Sequence, residues 1–284
     1  MSTIELPIFG KGSQPEEEDG AQLAFMAMPE AMSTFQMPPV SVEADLQSLQ
    51  PARDLLERLR LELKHRPVSQ SAAVLPLGGM DEGNRRFIDE LMGEGEVSIR
   101  YDGSRRFRIQ ESVLAGVWRV QRLSETGEAE EEWLEVGEVP RLVRERSFVG
   151  AAERIDTAFP VAPAGVMNAP PLLSELNAAI GRFCETGHAH MINLSLLPQT
   201  EQDLAFLAQH LGAGSTTILS RGYGNCRISS TAVRFVWWVQ YFNSEDTMIL
   251  NTLEVAAVPE VACAAAEDME DSYTRLEAML NAYL

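Results

Sequence analysis

The densest chemistry in the chain is the stretch Arg221-Gly222-Tyr223-Gly224-Asn225-Cys226-Arg227. Two glycines permit unusual backbone angles there. A thiol, an amide and a phenol stand between two arginines, and cations near a cysteine can lower its pKa and make a thiolate nucleophile. The plainer reading is a tight hairpin with Cys226 as a small buried hydrophobe. Metal chemistry is weakly signalled. His188 and His190 are two residues apart, and Cys184, Cys226 and Cys263 could be assembled with His188 into a site, but nothing in the spacing demands one. No CxxC or HExxH motif, nucleophile elbow, phosphate loop or dinucleotide fingerprint occurs. The expectation is therefore no catalytic residue, no bound metal, no cofactor and no enzyme. Glu135 and Glu254 each sit in a Leu-Glu-Val strand, where a glutamate is expected to face solvent.

The elements that must position these residues occur twice. Leu75 to Pro140 matches Leu194 to Pro259 at a constant offset of 119, without a gap and with roughly 19 identities in about 66 positions. Leu75, Leu77, Gly93, Gly95, Ile99, Trp118 and Glu135 meet Leu194, Leu196, Gly212, Gly214, Ile218, Trp237 and Glu254. A repeat of that length is a small domain. In each copy a helical stretch is followed by a short strand, a second helix and four strands. Asp81 and Thr200 are expected to cap the second helices, and Gly93 and Gly212 to stop them. Consecutive strands joined by short turns pair antiparallel. The fold class is α+β: a tandem duplication of an antiparallel sheet with helices on one face. Expected boundaries are an extended tail over 1–44, a first repeat over 45–150, a linker over 151–169 and a second repeat over 170–284. The tail contains an apolar stretch, Leu23 to Met37, suited to strapping onto the body or contacting a partner.

Shared residues read as fold, so function is sought where the copies differ. VWRVQRL of copy one becomes VWWVQYF: Arg119, Arg122 and Leu123 are replaced by Trp238, Tyr241 and Phe242. A strand apolar on both faces is usually buried on both, which suggests that it lines the interface between copies. Alternatively its aromatics face a partner. The candidate partner-binding residues are thus Arg221, Tyr223, Asn225, Cys226, Arg227, Trp238, Tyr241 and Phe242.

Composition narrows the class. Of 284 residues 45% are hydrophobic, and the net charge is −19. An acidic chain repels phosphate backbones, which argues against nucleic acid and suits a basic partner. No apolar run is long enough to span a membrane, and the first twenty residues do not read as a secretory signal. Three unpaired-looking cysteines point to a reducing, cytoplasmic setting.

Ile218 to Ser272, Leu91 to Arg100, Ile109 to Val120 and Met28 to Val40 resemble the HupH/HyaF family of hydrogenase expression and formation proteins. The resemblance implies an accessory protein in maturing uptake nickel–iron hydrogenases. It implies a chaperone for the small subunit precursor, which carries the iron–sulfur clusters and a twin-arginine export signal, with a thioredoxin-like accessory protein as a companion. It carries over no catalytic residues. A second reading is an iron–sulfur or metal handler using Cys226 and Cys263, with Cys184.

Overall fold

The computed structural model describes residues 49–65, 73–158, 163–221 and 224–283. The expected tail over 1–44, with its Met/Phe stretch, and Tyr223 lie outside the described residues. The first half contains α1 (Gln50–His65), β1 (Ala73–Pro76), α2 (Glu82–Met92), β2 (Val97–Asp102), β3 (Arg106–Glu111), β4 (Val117–Leu123), β5 (Ala129–Val136) and α3 (Arg141–Arg146). The second contains α4 (Ala169–Thr186), β6 (His190–Asn193), α5 (Glu201–Leu211), β7 (Ala213–Ser220), β8 (Asn225–Thr231), β9 (Val236–Phe242), β10 (Met248–Val255) and α6 (Ala266–Tyr283). Short 3-10 turns occupy Leu194–Leu196 and Glu260–Ala262.

Capping residues set the helix ends. The Asp81 side chain accepts from the Asn84 N–H at the start of α2, and Thr200 and Asp203 form a reciprocal capping box at the start of α5. Gly93 and Gly212 close these helices at φ +51° and +61°. Gly95 and Gly214 are shared for another reason. A Cβ on Gly95 would lie 2.2 Å from the Ser112 carbonyl oxygen, and one on Gly214 would lie 2.3 Å from Ser230 Oγ.

The ten strands among the described residues form one antiparallel sheet in the order β1-β5-β4-β3-β2-β7-β8-β9-β10-β6. The second half reverses the order of the first, so the halves meet edge to edge at β2 and β7. There Ile99 pairs with Ile218, its own counterpart at offset 119. A pseudo-two-fold axis therefore passes through this seam. The suggestion that the aromatic strand lines the boundary between copies is corrected: β9 lies between β8 and β10, within its own half. Backbone pairing of two edge strands joins the copies within the sheet, and on the α3 side Phe148 of the first copy packs edge-on to Trp237 of β9 at 5.0 Å between ring centroids.

Five of the described helices cover one face of the sheet, as expected for the α+β class. α1 and α2 pack on the first half and α4 and α5 on the second. The last helix, α6, returns to the first half, where Leu276, Met279 and Leu280 join Leu55, Leu56 and Leu59 of α1. The opposite face is covered across the seam by α3 and the turn at Glu260–Ala262, over Ile99, Ile109, Trp118, Ile218, Ile228 and Trp237. Residues following α3 are tied into the second half. Ala152 bridges to Val233, and Ile155 is buried in that core with both backbone polar groups bonded to Asn177.

This second cover overturns the expectation that Glu135 and Glu254 face solvent. Glu135 is 1% exposed and accepts from Trp133 Nε1 and the Arg141 N–H. Glu254 is half-buried, and burial pushes its carboxyl pKa upward. The face they share is roofed by elements from the ends of both copies.

Candidate functional site

Strand alternation divides the candidate residues between two faces. Cys226 and Tyr241 point toward the α3 side, in the core with Trp237 and Val239. Asn225, Arg227, Trp238 and Phe242 belong to the helix side. Asn225 pairs in register with Phe242, and Arg227 lies between Leu219 and Gln240. Arg221 is half-exposed just after β7, and its N–H donates to the Glu96 carbonyl at 3.1 Å, across the seam. The structure thus puts four of the candidates, each partly buried, on one face of the sheet, buries Cys226 and half-buries Tyr241 on the other, and leaves Tyr223 outside the described residues.

Burial holds the thiols of Cys226 and Cys263 in the protonated form. Cys226 is 1% exposed; burial pushes its thiol up to about 12, with the Glu254 carboxylate acting in the same direction and a hydrogen bond with Tyr241 opposing. Burial likewise pushes Tyr241 to about 12. Cys263 is raised to about 11, by burial first and by Glu138 next, while Arg144 pulls it down. Arg221 and Arg227 flank Cys226 in sequence, but the side chain of Arg227 belongs to the opposite face of β8, and desolvation dominates at the thiol. Cys184 is exposed on α4. His188 lies in a loop and His190 on β6, where its Nε2 is 2.8 Å from Glu175. Among the described residues no group of three or more His, Cys, Asp or Glu side chains is placed to hold a metal ion. No described helix is long and apolar enough to cross a membrane.

Trp238 takes an unanticipated role. Its indole N–H donates to Asn251 Oδ1 at 2.6 Å, and its ring packs against the second-half core. The equivalent pair in the first half is Arg119 and Glu132, which form an ion pair joined by Arg85 and, at 2.8 Å from Arg119, by Asp89. Trp237 is fully buried, with Nε1 donating to the Ala256 carbonyl at 3.2 Å, as Trp118 Nε1 donates to Gly137 at 2.8 Å. Neither buried indole is a contact residue.

The feature missed in the sequence lies at the free edge of the second half. Met191, Leu196, Leu197, Met248 and Ile249 are 59%, 80%, 39%, 43% and 61% exposed. They sit on β6, the following 3-10 turn and the start of β10. Among the described residues β6 pairs only with Thr252–Val255, so β10 runs on past it, and the Asn251 N–H is satisfied by Ser195 Oγ at 2.8 Å. A bulge between Met248 and Leu250 displays Ile249. In the first half the same stretch of β5 reads Ala129-Glu130-Glu131, with the equivalent bulge at Glu130. The signal was available: Ala-Glu-Glu aligns with Met-Ile-Leu at offset 119.

Residues 49–158 and 166–283 match the model described as HupH hydrogenase expression protein, C-terminal conserved region, so the family region itself falls into two stretches. The chain belongs to the HupH family. Similar full-length proteins include the hydrogenase expression/formation protein HupQ of Azotobacter chroococcum, 46% identical over 95% of this chain and 94% of its own. HupH of Rhodobacter capsulatus is 43% identical over 99% of both chains. The hydrogenase-1 operon protein HyaF of Escherichia coli is 31% identical over 97% of this chain and 95% of its own. A solved chain, the hydrogenase expression protein HupH from Thiobacillus denitrificans, is 32% identical, covers 40% of this chain and 95% of its own, and superposes with a TM-score of 0.39.

Proposed function

We propose that this protein acts in hydrogenase maturation as a cytoplasmic accessory chaperone, without turnover, that binds the iron–sulfur small subunit precursor before export. The observation that carries the reading is the match, over nearly their whole lengths, to proteins named for hydrogenase expression and formation. The chemistry of the chain supports binding over catalysis. Its two buried or half-buried thiols are held well above neutral pKa. The net charge of −19 suits a basic export segment by long-range steering. A thioredoxin-like accessory protein is the proposed companion in the same complex.

The test is co-purification. The full chain and the tagged small subunit precursor, produced together under anaerobic conditions, are expected to elute as one complex that weakens as salt rises. A clean separation with both proteins soluble defeats the reading. Complex formation by a Cys184→Ser, Cys226→Ser, Cys263→Ser variant is expected to match the parent protein, since binding in this account uses surface rather than thiols.

A further inference from the structure

The apolar edge of the second half departs from the way exposed strand edges are ordinarily protected. Native sheets blunt free edges with charge, and β5 of the first half does so with Glu130 and Glu131. At the equivalent place β10 presents Met248 and Ile249, with Leu196 and Leu197 alongside. Leu196 is identical to Leu77 in the first half, but their environments are opposite. Leu77 is 1% exposed and extends the β1 ladder by donating its N–H to the Glu132 carbonyl. Leu196 ends a 3-10 turn and is 80% exposed.

We propose that this edge receives an extended apolar peptide segment with basic residues beside it, added as a further strand along Met248–Leu250. The inference rests on the proposed client-binding function and assigns it a surface. β6 stops pairing at Thr252 and Ser195 Oγ takes the Asn251 N–H, so among the described residues the outer side of β10 is left uncovered by β6 and the 3-10 turn from Met248 to Leu250. Strand addition uses such backbone for affinity and alternate side chains for specificity. The charge beside the edge is negative: Glu245 and Asp246 are exposed in the turn that leads into Met248. Residues 151–284 carry 15 acids against 6 bases. That field favours a basic occupant and disfavours a second copy, which would bring two chains of net charge −19 together. Five apolar side chains are also fewer than a stable dimer interface of about 800 Å² per partner requires.

The test uses the full chain and a fluorescein-labelled twelve-residue peptide, two arginines followed by an apolar, β-branched run, with a two-glutamate version as control. The parent protein is expected to bind the arginine peptide at least tenfold more tightly than the glutamate peptide, and less tightly at higher salt. Met248→Glu with Ile249→Glu is expected to weaken arginine-peptide binding at least tenfold although it adds negative charge. Ile249→Asn, which leaves charge unchanged, should weaken it in the same direction, and Leu61→Glu on α1 should not. Binding within threefold of the parent by the double variant, or no binding by the parent, overturns the inference. So does a parent dimer that the double variant dissolves, or a crosslink from this edge to residues 23–37 of the same chain. If the precursor co-purifies equally with parent and double variant, the surface is wrong while the function stands. If the peptide binds at the edge but the precursor does not, the surface stands and the choice of client fails.

Discussion

The two halves carry the same order of strands and, on their central strands, the same pattern of burial: β4 and β9 match residue for residue. They close their polar positions differently. The first half joins Arg119 and Glu132 in an ion-pair cluster with Arg85 and Asp89. The second puts Trp238 and Asn251 at those positions and makes one neutral hydrogen bond. At the edges, acids in the first half face apolar residues in the second. Asn84 anchors the start of α1 through the Ala52 N–H, while its counterpart Asp203 accepts from the N–H groups of Met167, Asn168 and Ala169. Duplication thus preserves the positions that need a partner, and the chemistry of the partner drifts. Leu77 and Leu196 show the reverse: one residue type kept, its environment exchanged.

The largest test of mechanical equivalence is in the core. Trp118→Ala and Trp237→Ala are each expected to cost about 3–5 kcal/mol in urea unfolding. Values differing by more than about 2 kcal/mol would show that the halves are not equally supported. Next come the helix anchors. Asp203→Ala removes an ionised acceptor from several backbone donors and is expected to cost about 3 kcal/mol, against about 1 for Asn84→Ala. Burial alone would raise the Asp203 pKa, but the bonds from Ala169, Thr200, Met167 and Asn168 hold it at about 2. Its contribution is present above the usual carboxylate value and is lost as pH falls through about 2.

The third test is pH. Glu111, in the first half, is pushed up to about 7 by burial, with Glu96 and Asp268 adding to the rise and the Gly116 and Val97 N–H groups opposing it. The folded protein holds this proton more tightly than the unfolded chain. Stability from this group is therefore present at and below about pH 4.5, falls between about 4.5 and 7, and is flat above. The loss is at most on the order of 3 kcal/mol. The second half has Ser230 at this position. Glu111→Gln should flatten the melting temperature between pH 5 and 8; an unchanged slope would remove Glu111 as its source. The smallest effect is at the edge, where Met248→Glu with Ile249→Glu should shift unfolding by no more than about 0.5 kcal/mol. A larger shift would make that edge part of the scaffold.

Much of the fold is legible in residue order. Asp81, Thr200, Gly93 and Gly212 mark their helix ends because capping is local chemistry. Offset 119 marks the repeat. That the copies share one sheet is not legible, because an edge strand carries no sign of which edge it will meet. The destination of α6 is hidden for the same reason: its apolar stripe fits any exposed helix layer. Of the candidate site, period-two alternation already separates Cys226 from Asn225 and Arg227. The exposure of Leu196 depends on a 3-10 turn that its identity with Leu77 conceals.

The seam at Ile99 and Ile218 has a consequence for synthesis. As the chain leaves the ribosome, β2 emerges with an unsatisfied edge and must wait for β7, more than a hundred residues later. The first helix layer waits longer, until α6 arrives to close over α1. The part made first is therefore finished last. A nascent chain halted before residue 266 would have a roofed second half beside an open first one, and a premature stop there would damage the earliest-translated portion most.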